Sequence, residues 1–503
     1  MPEPDPRPEV WLGIDLGTQS VRVLAVDAAG GTRGSGAEQL RSRRDGPRHE
    51  QDPEQWWSAV RTACRQALGA VPGTPVRGVA VCATSGTILL ADGTGRPLTA
   101  GLMYDDSRAV EEAPLAAEAG AALWERLGHR PQPSWALPKL LWLLGRRSRL
   151  PAGARLLHQA DYVGGQLTGG PVATDSSHAL KTGYDTERGT WPTKLFEDLR
   201  IPAGLMPDVV RPGTVLGGVC AQAAEATGIP EGTPVVAGMT DGCAAQISAG
   251  ALEPGAWNSV LGTTLVLKGV TARRLRDPLG VVYSHRAPDG NWLPGGASST
   301  GAGVLSRVFP GHDLARLDAR AQRYEPSSLV TYPLASRGER FPFLAPRAEG
   351  FTLGNRRGAS DADYYASLLQ GVAFVERLCF DYLGLLGAPL DGPVTLTGGG
   401  ARSRYWCQLR ADVLARPLGL PDNAEAALGM AVLARAGTTA PLGATTPLGA
   451  VARDMVRLRA VVEPRPEHTR RLLESHLKLV DALQEHGWLP TAVARHARRR
   501  AHL

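Results

Sequence analysis

Asp15 and Asp241 are carboxylates placed where chemistry could use them, each at the end of an apolar run and next to small residues. Asp15 lies in Gly13-Ile14-Asp15-Leu16-Gly17-Thr18-Gln19-Ser20, between Val10-Trp11-Leu12 and the alternating run 21–26. A second Gly-Thr turn, Leu261-Gly262-Thr263-Thr264, is flanked by Val260 and Leu265-Val266-Leu267. Each turn reads as a tight β-hairpin whose glycine lets the backbone approach a ligand while hydroxyls sit beside exposed amides, an arrangement that grips phosphate oxygens. Phosphoryl transfer needs such donors, a carboxylate that brings in Mg²⁺, and a base beside the acceptor hydroxyl. Asp15 suits the hard cation, directly or through water, and reads equally as a turn aspartate bonded to nearby amides. Asp241 closes Val235-Val236-Ala237-Gly238-Met239-Thr240 and suits the base. On local sequence a helix N-cap ahead of Gly242-Cys243-Ala244-Ala245-Gln246 is its stronger reading, and the two roles are compatible. Gly398-Gly399-Gly400 admits a nucleotide or merely a tight connection. Neither a Walker A loop nor a Rossmann glycine fingerprint occurs.

These groups must be held by strands and helices. Residues 10–26 read as two short strands around the first turn. Asp52-Pro53-Glu54-Gln55 announces a helix, with Asp52 as N-cap, Pro53 at N1 and Gln55 reaching back from N3. Its apolar stripe is Trp57, Val60, Cys64 and Leu68. Residues 76–83 form a β-rich run with Thr84-Ser85-Gly86 at its end, where ligands sit in open α/β sheets. Helical patterns cover 137–144, about 243–251, 361–386, 403–414, 428–434 and 467–485, and 394–397 is a short strand. Leu16-Gly17-Thr18 and Leu261-Gly262-Thr263 stand near the starts of two halves, which argues for an internal duplication with a nucleotide clamped between the halves.

A chain of 503 residues exceeds one ordinary core. The expected division is 1–253, 254–485 and a basic, disordered tail at 486–503, with Pro254-Gly255 at the boundary. Hydrophobic content of 43% with 21% charged residues is that of a soluble globular protein. The proline-rich polar leader 1–8 has no signal-peptide core and no apolar stretch spans a bilayer, so the expected location is the cytoplasm. The six cysteines form no Cys-x-x-Cys pair and the eleven histidines no His-Glu-x-x-His, which argues against zinc chemistry. Of the net charge of +6, four charges come from Arg495, Arg498, Arg499 and Arg500, so the pI near 9.1 does not mark a nucleic-acid surface.

Gly13-Ile14-Asp15-Leu16-Gly17-Thr18, Glu50-Gln51-Asp52-Pro53, Asp241, Leu261-Gly262-Thr263 and Thr397-Gly398-Gly399-Gly400-Ala401 occur here in the order and spacing of the FGGY carbohydrate kinases, which this chain resembles from about residue 10 to 485. The resemblance implies an α/β fold of two actin-like ATPase (ribonuclease H-like) domains with ATP and sugar in the cleft between them, closing to exclude water. It makes Asp241 the catalytic base. Gly17, Thr18, Gln19, Ser20 and Arg22 match the first phosphate-binding segment, and Gly262, Thr263, Thr264, Gly301, Gly399 and Gly400 match later nucleotide contacts. Some relatives carry asparagine near the adenine where this chain has Arg404. Asp15, Ser85, Asp105, Asp161 and Asp241 are the expected substrate-side residues, with Mg²⁺ near Asp15.

Within the family the chain looks most like the D-ribulose kinases, on His158-Gln159-Ala160-Asp161-Tyr162, Leu180-Lys181-Thr182-Gly183-Tyr184-Asp185, Val282-Tyr283-Ser284-His285-Arg286, Gly295-Gly296-Ala297-Ser298-Ser299-Thr300-Gly301, Tyr332-Pro333-Leu334 and Gly338-Glu339-Arg340-Phe341-Pro342. Xylulokinases typically carry Met-His-Gly where this chain has Ala83-Thr84-Ser85, and D-ribulose kinases carry Asp-Gly where it has Cys82-Ala83. The expected activity is ATP-dependent phosphorylation of a free ketopentose, D-ribulose at its 5-hydroxyl. Xylulose or another polyol is the alternative acceptor, and a sugar-independent actin-like ATPase is the alternative of another class. The expected partner is a small sugar, with no nucleic acid and no membrane; a homodimer is left open.

Overall fold

The computed structural model describes residues 9–147, 149–439 and 447–501, so the leader at 1–8 lies outside the described residues. Two compact units divide the chain: Met1–Gly250 with His285–Asn291 and Asn423–Arg457, and Ala251–Ser284 with Trp292–Asp422 and Leu458–Leu503. The first crossing falls at 250/251 against the expected 253/254, and two later segments return to the first unit.

The sheet of the first unit is built on β1 (Val10–Leu16), which pairs antiparallel with β2 (Ser20–Asp27); β2 pairs in turn with β3 (Thr32–Gln39). After helix α1 (Pro53–Gly69), β4 (Val76–Ala83) returns parallel to β1 on its other side. Two further helices, α2 (Ala136–Gly145) and α3 (Gln159–Thr168), precede β5 (Val215–Gly218), β6 (Pro234–Val236) and α4 (Asp241–Ser248). The strand order is β5-β6-β4-β1-β2-β3. Six of the seven β1 residues are buried, as a central strand covered on both faces requires. One cover is the helix Ala426–Thr439, which comes so close that a Cβ on Gly13 would lie 1.7 Å from the Ala427 carbonyl oxygen. Glycine is needed at 13 for that approach.

Helix α1 begins as expected, with Asp52 accepting from the Glu54 amide at 3.0 Å and Pro53 as the first helical residue. Gln55 does not close a capping box: its Oε1 accepts from the Arg41 amide at 2.8 Å, because that otherwise unpaired donor leaves β3 beside it. The buried face holds Trp56, Ala59, Val60, Ala63, Cys64 and Ala67, with Trp57 and Leu68 at its rim. A separate core of Ile88, Leu90, Leu102, Trp124, Leu137 and Leu140 lies under α2.

The second unit repeats the pattern. β7 (Trp257–Leu261) and β8 (Leu265–Gly269) form a hairpin, β9 (Trp292–Ala297) extends it antiparallel, and β10 (Val394–Thr397) runs parallel to β7. The helix α5 (Asp361–Leu385) between β9 and β10 is buried along most of its length and is capped by Ser360, whose hydroxyl accepts from the Asp363 amide at 3.1 Å. Helix α6 (Arg404–Leu414) leads to β11 (Leu418–Pro421), and β12 (Leu458–Val462) pairs antiparallel with it. Helix α7 (Pro466–Glu485) is followed by α8 (Thr491–Ala501). Residues 491–501, expected as disordered tail, are therefore an amphipathic helix with Val493, Ala494 and Ala497 buried. Arginines dominated the composition there and concealed the apolar stripe.

Candidate active site

In the first unit the hairpin turn is bolted from outside. The Gly17 amide donates to the Ser20 carbonyl at 3.1 Å, and the Gln19 carbonyl accepts from the Leu40 amide at 2.8 Å. The buried Gln51 donates through Nε2 to the Thr18 carbonyl at 2.7 Å and accepts from Trp56 Nε1 at 2.7 Å. Gln51 escaped the residue-by-residue reading, although it stands in the quoted Glu50-Gln51-Asp52-Pro53 string. Gln19 is exposed at the tip, with Thr18 and Ser20 half-buried beside it.

Register places Asp15 of β1 opposite Arg22 of β2 and Cys82 of β4. Cys82 Sγ donates to Asp15 Oδ1 at 3.5 Å. Burial first, then the Asp241 carboxylate, push the Asp15 carboxyl up to about 6, while the Cys82 contact and Arg22 pull it down and Glu425 adds to the rise. The same burial, with the fields of Asp15 and Asp241, raises the Cys82 thiol far above its ordinary range, so it stays protonated as a donor. Asp241 reaches this position because Thr240 bridges in parallel to Ala83, the last residue of β4. The expected N-cap role is corrected: Thr240 caps α4 and Asp241 is its first helical residue, with Oδ1 accepting from the Gly242 amide at 2.7 Å. Glu425 comes from the far end of the sequence, and no local signal marks it.

Behind this pair stands a fully buried polar layer. Ser177 Oγ accepts from the Thr240 amide at 2.9 Å and donates to Asp175 Oδ1 at 2.6 Å. His178 donates through Nδ1 to Asp175 and through Nε2 to the Ala83 carbonyl at 3.3 Å. Burial alone would lower His178, but the Asp175 carboxylate overrides it and lifts the imidazole to about 9, so it is charged at neutral pH. Asp161 belongs to this layer: its Oδ2 accepts from the His158 amide at 2.8 Å and from His158 Nδ1 at 2.9 Å, closing the start of α3.

Ser85 and Asp105 lie on two turns. Thr84–Thr87 is closed by a long bond from the Thr87 amide to the Thr84 carbonyl, 3.4 Å, and Met103–Asp106 by the corresponding bond at 3.0 Å. The Ser85 hydroxyl oxygen is buried and meets no protein partner, a costly state unless something else supplies one. Asp105 is held by Arg44 Nη2 at 2.9 Å and His49 Nδ1 at 2.5 Å, and these partners keep its carboxyl below the usual range although burial opposes them. Its neighbour Tyr104 is exposed, yet burial of its hydroxyl and the fields of Asp105 and Asp241 raise its pKa, which places it on the Asp241 side.

In the second unit the expected nucleotide residues gather around one hairpin. The Gly262 amide donates to the Thr264 carbonyl at 3.0 Å, the Ala302 amide to Gly262 at 2.9 Å and the Gly303 amide to Thr263 at 3.0 Å. A Cβ on Gly301 would lie 2.5 Å from the Thr263 carbonyl oxygen and from Thr264 Cα, so only glycine allows this docking. Gly398 and Gly400 press against Leu261 at the hairpin base, while Gly399 faces open space. Arg404 is exposed at the first turn of α6, which Ser403 caps. The loop carrying Gly301 is fixed by Glu339, 1% exposed, whose carboxylate accepts from Ser298 Oγ at 3.0 Å, the Ser299 amide at 2.6 Å, Thr300 Oγ1 at 3.2 Å, Tyr332 Oη at 2.9 Å and the Arg340 amide at 2.8 Å.

Asp15 fits a hard cation: its donors are carboxylate oxygens, and a divalent ion would offset the burial and, after it, the neighbouring Asp241 charge that raise its pKa. The tightest metal-like grouping among the described residues, Glu325, Asp412 and His468, is elsewhere and already holds a cation, because Arg465 Nη2 reaches Glu325 at 2.7 Å and Asp412 at 2.6 Å. No helix among the described residues is long and apolar enough to cross a membrane.

Residues 10–248 match the model for the FGGY family of carbohydrate kinases, N-terminal domain, and residues 258–437 that for its C-terminal domain. The xylulose kinase of Streptomyces coelicolor is 31% identical over 84% of this chain and 87% of its own length, and that of Escherichia coli is 28% identical over 94% and 100%. The crystal structure of a xyloylose kinase from Brucella ovis superposes with a TM-score of 0.86 at 27% identity, covering 95% of this chain and 100% of that one. The two-unit α/β fold and the two family matches define a phosphotransferase that uses an alcohol acceptor. The chain belongs to the FGGY family of carbohydrate kinases. These relatives are xylulose kinases by name, in place of the expected D-ribulose kinases.

Proposed function

We propose that this protein transfers the γ-phosphoryl group of ATP to a hydroxyl of a free ketopentose. The observation that carries the reading is the electrostatic coupling of Asp15 and Asp241, with the unpartnered, buried Ser85 hydroxyl two residues beyond Ala83, which bridges to Thr240. Asp241 accepts the proton of the attacking hydroxyl; the Gly242 amide on Oδ1 fixes the carboxylate so that little reorganisation is needed at the moment of reaction. Ser85, Tyr104 and Asp105 orient the sugar. The amides and hydroxyls of Gly17–Ser20 and of Gly262–Thr264 bind phosphate oxygens, with Gly399 and Arg404 toward the nucleoside. Asp15 would hold Mg²⁺, which when bound neutralises phosphate charge. The ion would also remove the cost of two neighbouring carboxylates.

D-Xylulose is the acceptor suggested by the names of the relatives. D-Ribulose is favoured by Thr84-Ser85-Gly86, whose free hydroxyl offers a bond where xylulokinases typically present Met-His-Gly. A coupled ADP-release assay with D-xylulose, D-ribulose, glycerol and gluconate decides between them. Turnover that rises with one ketopentose supports the reading, and ATP hydrolysis indifferent to every sugar replaces it with an actin-like ATPase.

A further inference from the structure

Lys139 is 0% exposed, and its ammonium group has three oxygen neighbours, all main-chain carbonyls: Gly86 at 2.6 Å, Met103 at 2.7 Å and Leu102 at 3.4 Å. Among the described residues no carboxylate pairs with it. A lysine that only filled the core of α2 would cost more than a leucine or methionine there, because an ammonium loses its hydration on burial. What the ammonium adds is a point from which three N–H bonds radiate to separate pieces of chain.

The pieces it joins are the two turns of the acceptor side. Gly86 follows Ser85 in the turn Thr84–Thr87, and Met103 opens the turn that contains Tyr104 and Asp105. Ser85 and Asp105 share no hydrogen bond, and Thr84–Thr87 is closed by the 3.4 Å main-chain bond and by the Thr84 and Thr87 hydroxyls, 2.5 Å apart. Lys181 reaches the first turn alone, with Nζ donating to the Ser85 carbonyl at 3.1 Å. Lys139 bonds both turns directly, and the antiparallel pairing of Ile88 with Leu102 joins the strand residues next to them.

We propose that Lys139 is a positioning residue for the acceptor: its buried ammonium locks the Ser85 turn to the Tyr104–Asp105 turn, so that the groups which orient the sugar keep a fixed separation. The inference rests on the ketopentose reading for its functional half. Misplacement of an orienting group by about 1 Å costs as much as 10²-fold in rate, so a rigid spacer between two such groups matters more than its own contact energy.

The test is Lys139→Met, with Lys139→Gln as a second variant that keeps two N–H donors and Lys181→Met as the comparison. The expected result for Lys139→Met is a KM for the ketopentose raised about tenfold or more with KM for ATP within about twofold. In the ligand-free protein, amide hydrogen exchange should quicken at both 84–87 and 103–106, whereas Lys181→Met should quicken 84–87 only. Lys139→Gln should fall between wild type and Lys139→Met. Equal increases in both KM values, or unchanged exchange at either turn in whichever Lys139 variant folds, would overturn the proposal. If the wild-type protein ignores every sugar, the ketopentose reading fails by itself, and the exchange measurement still decides whether Lys139 couples the turns.

Discussion

Asp15 and Asp241 share one electrostatic environment but face opposite demands. Asp241 must accept a proton during turnover, so Asp241→Asn should lower kcat by about 10²–10⁴-fold while the dissociation constant for ATP stays near that of wild type. Stopped-flow turnover and nucleotide titration measure the two separately, and sugar-dependent turnover at the wild-type rate would remove Asp241 from the role of base. Asp15 is costly in the ligand-free protein. With its carboxyl raised from 3.8 to about 6, its contribution favours the folded state in acid and is lost as the pH rises through that window. Partial exposure brings the cost at pH 7 below the roughly 3 kcal/mol that the full shift implies. Asp15→Asn should therefore raise Tm at pH 7 without Mg²⁺ while abolishing most turnover, and the gain in Tm should vanish toward pH 4. A Tm below wild type at pH 7 would contradict this account.

The two hairpins are positioned by elements far from them in sequence. Gln51, just before α1, holds the first turn through the Thr18 carbonyl; Glu339, in a loop before α5, holds the second by ordering residues 298–300. No cation pairs with the Glu339 carboxylate among the described residues, so its charge is carried by donated hydrogen bonds alone. Glu339→Gln replaces two acceptor oxygens with one and adds donors where donors already point. It should weaken ATP binding about tenfold and leave KM for the sugar unchanged, as a fluorescent nucleotide titration would read. Gly13→Ala tests packing on the other unit. Its Cβ would meet main-chain carbonyl, which cannot rotate away, so a loss of about 3 kcal/mol or more in urea unfolding is expected. A near-neutral result would mean that the helix Ala426–Thr439 is less tightly seated on β1.

At the scale of the whole chain, the basic C-terminus belongs to the second unit. Arg498 bonds Asp481 at 2.6 Å and Arg500 reaches Asp381 at 3.2 Å, so these two charges are paired within the chain. Ending the protein at residue 490 should expose the surface that covers Val493, Ala494 and Ala497 and leave Asp381 short of a partner. A loss of about 2 kcal/mol, or a Tm lower by about 4–8 °C, is expected in calorimetry. No change in Tm would restore the reading of a dispensable tail.

Short-range rules read well in this sequence. Apolar alternation marked β2 and β-rich composition marked β4 nearly to the residue, the apolar Val10-Trp11-Leu12 marked the start of β1, Asp52-Pro53 marked α1, and the paired Leu-Gly-Thr turns marked a duplication that both sheets display. Each of these depends on neighbours within a few positions, so periodicity and turn chemistry suffice. The tertiary structure alone decided that Thr240 rather than Asp241 caps α4, that Asp161 is turned to His158, and that Glu425, Cys82 and Lys139 surround or support the site. It also decided that residues 423–457 return to the first unit. These outcomes depend on which strands lie side by side and on what burial does to a charge. Apart from the cap of α4 and the Asp161–His158 capping box, which are local, they follow from contacts between residues far apart in sequence, which no local pattern encodes.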